Sequence, residues 1–193
     1  MNLMARFNLE KAGFTLNHFR KLKICAESKS FSEAAQKLTK PEGLIHSISA
    51  LEALLGLEVF EKKDTPVRTL RSTNLTPAGR KIYEAFRSLD KIIRTDLHPQ
   101  ITIYSLKALK FASESSTFRG ASKKLNVLST SLVNAISHLE KALGQTLFER
   151  TPRTQKTKGG AKTTQLTSEG GELLKAFCHF EEVIKNISNN KTI

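Results

Sequence analysis

Apolar residues recur at helical spacing from Leu16 onward, with Leu16, Phe19, Leu22, Cys25 and Ala26 sharing one face. The spacing predicts a helix ending near Ser28. A short helix carrying Ala34, Ala35 and Leu38 follows, and Ser32 is the residue expected to cap it. The paired alanines suit two helices that cross closely. Leu44, Ile48, Leu51 and Leu55 then stand at i, i+4, i+7 and i+11, an inward stripe with Pro41 in the first turn and Gly56 as a left-handed stop. The opposite face holds Glu42, Gly43, His46, Ser49 and Ala53. A short strand over 58–61 leads into a hairpin that returns near Asn74 and Leu75. Thr76 caps a long helix, 77–96, with Ile82, Phe86, Leu89, Ile92 and Ile93 along one side. It ends before Pro99, because the residue ahead of a proline disfavours helix.

The same order then occurs again. Phe118, Ala121 and Leu125 answer Phe31, Ala34 and Leu38 at a constant offset of 87. Ile103, Leu106, Leu109 and Ala112 line a first helix, and Leu132, Ile136, Leu139 and Leu143 form the inward stripe of a third. Ser129, Thr130, Ser131, Asn134 and His138 face outward there. A hairpin over 151–165 and a last helix, 168–187, with Leu173, Leu174, Phe177, Phe180 and Ile184 on one side, complete the copy; the chain frays from Asn186. A repeat of about ninety residues organises the chain more firmly than its length does. The expected division is an arm, 1–15, two similar domains, 16–98 and 99–188, and a tail, 189–193.

Charge sharpens the picture. The chain carries a net charge of +13. Residues 1–97 hold 17 basic and 11 acidic side chains and residues 98–193 hold 14 and 7, so both halves are basic. A distributed positive surface points to a polyanion, nucleic acid before an anionic membrane. No run is long and apolar enough to span a bilayer and no charged-then-apolar leader is present, so a soluble cytoplasmic protein, associated with the nucleoid, is expected. Cys25 and Cys178 lie far apart, and Cys25 reads as a small buried hydrophobe. No histidine stands at metal-ligand spacing from a histidine or cysteine, and no phosphate-cradling glycine loop or nucleophile elbow occurs. No cofactor, metal or enzymatic activity is expected.

Both repeats carry four short runs in one order: S-F-x-x-A-A in the first and its Phe118–Ala121 counterpart in the second, then L-E-x-x-L-G, an L-F-E-R-like strand, and L-T-x-x-G. Residues 31–79 and 118–170 thus each resemble the N-terminal DNA-binding domain of LysR-type transcriptional regulators. The resemblance implies a mainly α fold of two tandem winged helix-turn-helix domains. Each would have a small β-hairpin wing and a long C-terminal helix of the linker or dimerisation type. It also implies that the third helix of each unit enters the major groove while the wing meets flanking backbone. Three departures stand out. A second DNA-binding-like unit occupies the place of the family's ligand-binding domain. The family's S-Q-P-A-V-S opening is replaced by Lys40-Pro41-Glu42-Gly43-Leu44-Ile45, one residue shorter in the turn, and by Leu128-Ser129-Thr130-Ser131-Leu132-Val133. Both wings are enlarged.

Recognition helices read bases through short or planar polar groups near their N-termini. Thr130, Ser131 and Asn134 fit this in the second unit, with Ser129 and His138 beside them; Glu42, His46 and Ser49 are the counterparts in the first. Ser32, Lys40 and Arg119 are further candidates for DNA contact. The wings add cations suited to phosphates or a narrow minor groove: Lys62, Lys63, Arg68 and Arg71 in one, Arg150, Arg153, Lys156, Lys158 and Lys162 in the other. Six such contacts give a log K against log salt slope of roughly −5. The apolar stripes of helices 77–96 and 168–187 need cover, from each other in one chain or from copies in a second chain. The function expected is a sequence-specific regulator on double-stranded DNA without its own ligand sensor, repressing by occupancy or activating through RNA polymerase. Two other classes fit the same residues: an interaction protein that pairs with a LysR-type regulator or another partner, and a nonspecific architectural DNA binder.

Overall fold

The computed structural model describes residues 15–38, 43–62, 71–93, 97–149 and 165–189. Eight helices and one small sheet run in the order α1 (Asn17–Ala26), α2 (Phe31–Gln36), α3 (Leu44–Leu55), β1 (Phe60–Lys62), β2 (Arg71–Leu75), α4 (Pro77–Asp90), α5 (Ile103–Ser113), α6 (Phe118–Lys124), α7 (Ser129–Leu143) and α8 (Ser168–Asn189). The protein is mainly helical. In the first unit β1 and β2 pair antiparallel, Phe60 opposite Leu75 and Lys62 opposite Arg71. In the second, an antiparallel bridge between Phe148 and Leu166 stands at the same place. This is the winged helix-turn-helix order, twice.

The two units repeat the same fastenings. Ser30 and Thr117 cap α2 and α6 through their hydroxyls, accepting from the N–H groups of Glu33 and Gly120. Phe31 packs edge-on against Phe60 and Phe118 against Phe148, with centroids 5.4 and 5.3 Å apart. Lys37 and Lys124 each donate to the carbonyl oxygen at the end of the first helix of their unit, Glu27 and Glu114. Gly79 and Gly170, the closing glycines of the L-T-x-x-G runs, lie so close to the carbonyls of Val59 and Leu147 that a Cβ would strike them. Only glycine admits that approach of helix to strand.

Several expectations are corrected. Ser32 does not cap α2; Ser30 does, with extended backbone at φ −153° and ψ 160°, and Ser32 sits exposed inside the helix. Helix α3 starts at Leu44 behind a left-handed Gly43 (φ 77°), so Pro41 lies ahead of it rather than in its first turn. The first strand begins at Phe60, two residues later than expected. Helix α4 ends at Asp90, not at 96: the N–H groups of Ile92 and Ile93 both turn back to the carbonyl of Leu89, and Asp90 pairs with Lys23 of α1 at 2.6 Å. Helix α8 continues to Asn189, where fraying was expected from Asn186, and Ile187 packs against the core. The arm 1–14 and the tail from 190 lie outside the described residues, as do Lys40, Glu42, Lys63, Arg68, Arg150, Arg153, Lys156, Lys158, Lys162 and the side chain of Arg71.

The units meet through α4 and α8, the most extensive contact between helices. Phe86, Leu89, Ile93, Phe177, Phe180 and Ile184 are buried. The rings of Phe19, Phe86 and Phe180 converge, Phe180 edge-on to Phe19 at 4.8 Å and to Phe86 at 6.1 Å. The two apolar stripes therefore cover each other within one chain. Thr15 and Thr102, equivalent residues of the two repeats, pair with one another in an antiparallel bridge. Equivalent residues meeting in this way mark a local twofold relation. An ion pair also recurs in each half: Lys23 to Asp90, and Lys110 to Glu181, both at 2.6 Å. Burial pushes the Glu181 carboxyl up, but hydrogen bonds from Lys110 and Lys185 outweigh it and hold it below the usual carboxylate range.

His98 has no counterpart in this symmetry. It is fully buried, beside the Phe86 ring, with Nε2 3.1 Å from Asp90 Oδ1. Burial lowers its pKa below the ordinary 6.5 despite Asp90, with Arg20 and Lys23 of α1 adding to the lowering. His18, half-buried on α1 near Lys21, is lowered for the same first reason. The unfolded chain takes up protons at these rings where the folded chain does not. The stability contributed by the neutral rings is thus complete above pH 6.5 and drains as pH falls below it. Urea midpoints are expected to drop between pH 7.5 and pH 5.5, and His98→Gln to flatten part of that drop.

Candidate nucleic-acid interface

The third helices, α3 and α7, are held inward by equivalent stripes. Leu44, Ile48, Leu51 and Leu55 are buried in one, Leu132, Ile136 and Leu139 in the other, with Leu143 half-buried. Each ends on a left-handed glycine, Gly56 at φ 63° and Gly144 at φ 66°. Their outward faces are open. Thr130, Ser131, Asn134 and His138 of α7 are exposed, as is His46 of α3. Ser49 is half-buried and engaged within the protein. Arg119 lies exposed in the first turn of α6. Ser129 serves the fold, since its hydroxyl lies 2.9 Å from that of Ser122 and ties the start of α7 to α6. Lys62 is exposed at the end of β1 and paired with Glu58.

The helices differ at their N-terminal ends. Helix α7 begins at Ser129, three residues before Leu132, whereas α3 begins at Leu44, the counterpart of Leu132. In the second unit a left-handed residue, Asn126 (φ 54°), stands behind α6, whereas in the first Gly43 (φ 77°) stands directly before α3. Ser129, Thr130 and Ser131 form an N-terminal turn of α7 ahead of Leu132, while α3 starts at Leu44 itself. Helix α3 is braced from α1, where Lys21 Nζ donates to Ser47 Oγ at 2.7 Å. Neither helix has a side-chain cap: the cap positions are Gly43 and Leu128. Ile45, at 58% exposure, and Leu128, at 73%, are the large exposed apolar side chains of the described residues, one at each of these ends.

Each wing base is tied to the third helix of its unit by one carboxylate. Glu52 Oε1 accepts from the N–H of Val59 at 2.9 Å, and Glu140 Oε1 from Leu147 at 2.8 Å and Phe148 at 3.4 Å. The glutamate of the L-E-x-x-L-G run therefore fixes the angle between helix and hairpin. Its recurrence was visible in the sequence; its role was not, because it depends on a strand seven residues away. Among the described residues no group of histidine, cysteine or acidic side chains is arranged to hold a metal ion, and no helix is long and apolar enough to cross a membrane. Burial pushes the Cys25 thiol up to about 12, in keeping with a core residue.

The family model for bacterial regulatory helix-turn-helix proteins of the lysR family matches residues 16–80 and again 103–170. The chain belongs to the LysR family. Two relatives from Escherichia coli K12 bear this out. One is the HTH-type transcriptional regulator DsdC, 31% identical over 102 residues, covering 48% of this chain and 31% of DsdC. The other is the uncharacterized HTH-type transcriptional regulator YbhD, 39% identical over 84 residues, covering 43% of this chain and 25% of YbhD. The chain thus spans less than a third of the length of these LysR-type relatives. No solved structure gives a significant match. The family supports a DNA-binding transcriptional regulator.

Removing either LysR-type clamp leaves buried backbone N–H groups without their acceptor. Glu52→Ala and Glu140→Ala are each expected to lower stability by about 1–3 kcal/mol, read from urea unfolding at neutral pH.

Proposed function

We propose that the protein is a sequence-specific regulator that places two unlike reading helices on one stretch of duplex. In this reading residues 16–98 and 99–188 act as its two DNA-binding domains. The observation that carries it is the open outward face of both third helices, while their inward faces and the long helices behind them share one continuous core. The two heads would meet successive major grooves, roughly 34 Å apart or somewhat more. Because α3 and α7 differ in residues and in length at the reading end, the site is asymmetric rather than palindromic. Asn134 is suited to a bidentate contact with adenine, with Thr130 and Ser131 ahead of it, while His46 serves the first head. Arg119, Lys40 and the wing cations Lys63, Arg68, Arg71, Arg150, Arg153, Lys156, Lys158 and Lys162 track phosphates. Regulation in this reading uses no small-molecule sensor within these residues and takes place in the cytoplasm at the nucleoid.

One observation favours a second reading. The shortened start of α3 and its glycine cap weaken the first head as a base reader, which suits a unit that docks a partner, such as another LysR-type regulator, while the second unit alone holds DNA.

Selection of bound sequences from a random duplex pool tests the proposal. One asymmetric consensus with two separated blocks is expected; a single block supports the second reading, and no enrichment rejects sequence-specific binding. Asn134→Ala is expected to cost about 1–3 kcal/mol on the selected site and to relax one base position. Neutralising Arg150, Arg153 and Lys156 together is expected to weaken all sequences alike and make the salt slope shallower by about 3.

A further inference from the structure

Leu128 occupies a position where physical chemistry disfavours it twice. It is the N-cap of α7, where serine, threonine, asparagine or aspartate would accept a hydrogen bond from the first turn, and it makes no such bond. It is also 73% exposed, the most open of the large apolar side chains described. Single exposed hydrophobes usually call for no explanation. Here the other one, Ile45, is the second residue of α3, so both stand at the reading ends of the two third helices. Their surroundings are polar: Ser129, Thr130, Ser131 and Asn134 beside Leu128, and His46 beside Ile45, all exposed. The chain as a whole is strongly cationic, at +13. A polyanion whose accessible edge carries isolated methyl groups among hydrogen-bonding atoms fits that arrangement, and the major groove of thymine-containing duplex DNA is such an edge.

We propose that Leu128 and Ile45 are specificity-determining residues that pack against the 5-methyl groups of thymines, one in each part of the bound site. The inference rests on the DNA-binding reading above and deepens it. Leu128 gives up a helix cap and a hydrated surface in the free protein, and recovers apolar burial only when a methyl group covers it. Cytosine at the same position offers no methyl and leaves the leucine against a polar edge. The preference therefore arises without a hydrogen bond to the base.

Deoxyuridine in place of thymine removes only the methyl group and keeps base pairing, which makes it the direct probe. The full chain is titrated against the tightest duplex recovered from a random pool, resynthesised with deoxyuridine at each thymine in turn. One substitution in the part of the site read by the second unit is expected to weaken binding about fourfold, the value of one buried methyl. The same substitution is expected to have no effect on Leu128→Ala, and a second, separate thymine to behave likewise with Ile45→Ala. Leu128→Ser supplies the missing cap, so it is expected to raise the melting temperature by about 2–4 °C while losing the deoxyuridine effect. An enriched duplex insensitive to every deoxyuridine, or a sensitivity at the thymine read by the second unit that persists in Leu128→Ala, overturns the inference while leaving DNA binding intact. In that event the leucine serves a protein surface. A pool that yields no enriched duplex rejects sequence-specific binding, and this inference with it.

Discussion

Everything in this molecule depends on the mutual burial of α4 and α8. Each helix carries an apolar stripe that its own winged unit covers only in part, and the two stripes meet over Phe86, Phe177 and Phe180, with Phe19 of α1 inserted beside them. Rings in edge-on contact gain more than their buried area alone supplies. Lys23–Asp90 and Lys110–Glu181 flank this core at equivalent positions and fasten the first helix of each unit to its last. The polar groups are thereby paired where the chain must pass from one unit to the next, and α3 and α7 are left free of structural duty on their outer faces.

Much of this was legible from periodicity. The inward stripes of α3 and α7, the left-handed stop at Gly56, and the Thr76–Pro77 start of α4 follow from short-range rules and agree with the structure. Misplaced details depend on contacts that local spacing does not encode. Three serines, Ser28, Ser30 and Ser32, alternate around the start of α2, and only the backbone geometry selects Ser30 as its cap. Helix α4 stops at Asp90, well short of Pro99, and its last residue pairs with Lys23, sixty-seven residues away. The bond of Ser129 to Ser122 across the turn is likewise invisible in local spacing. Exposure of Thr130, Ser131, Asn134 and His138 follows from the helical pattern, while most wing cations fall outside the described residues.

The repeat also shows which fastenings the two halves share. Glu52 and Glu140, Gly79 and Gly170, Lys37 and Lys124, and the two edge-on phenylalanine pairs hold equivalent geometry in both halves. All of them set the angle between helices, or between a helix and its hairpin. The turn before the third helix obeys no such constraint. Gly43 is left-handed directly before α3, where the second unit has the first turn of α7, yet the inward stripe seats in both. Divergence between the halves is concentrated where packing is indifferent to it.

The pairing of Thr15 with Thr102 joins two halves of one polypeptide rather than two copies of it. In a homodimer every substitution is made twice, so neither face can change without its mate. Here a single codon alters one face only. The two ends of the molecule are free to drift toward different targets while the seam between them stays fixed.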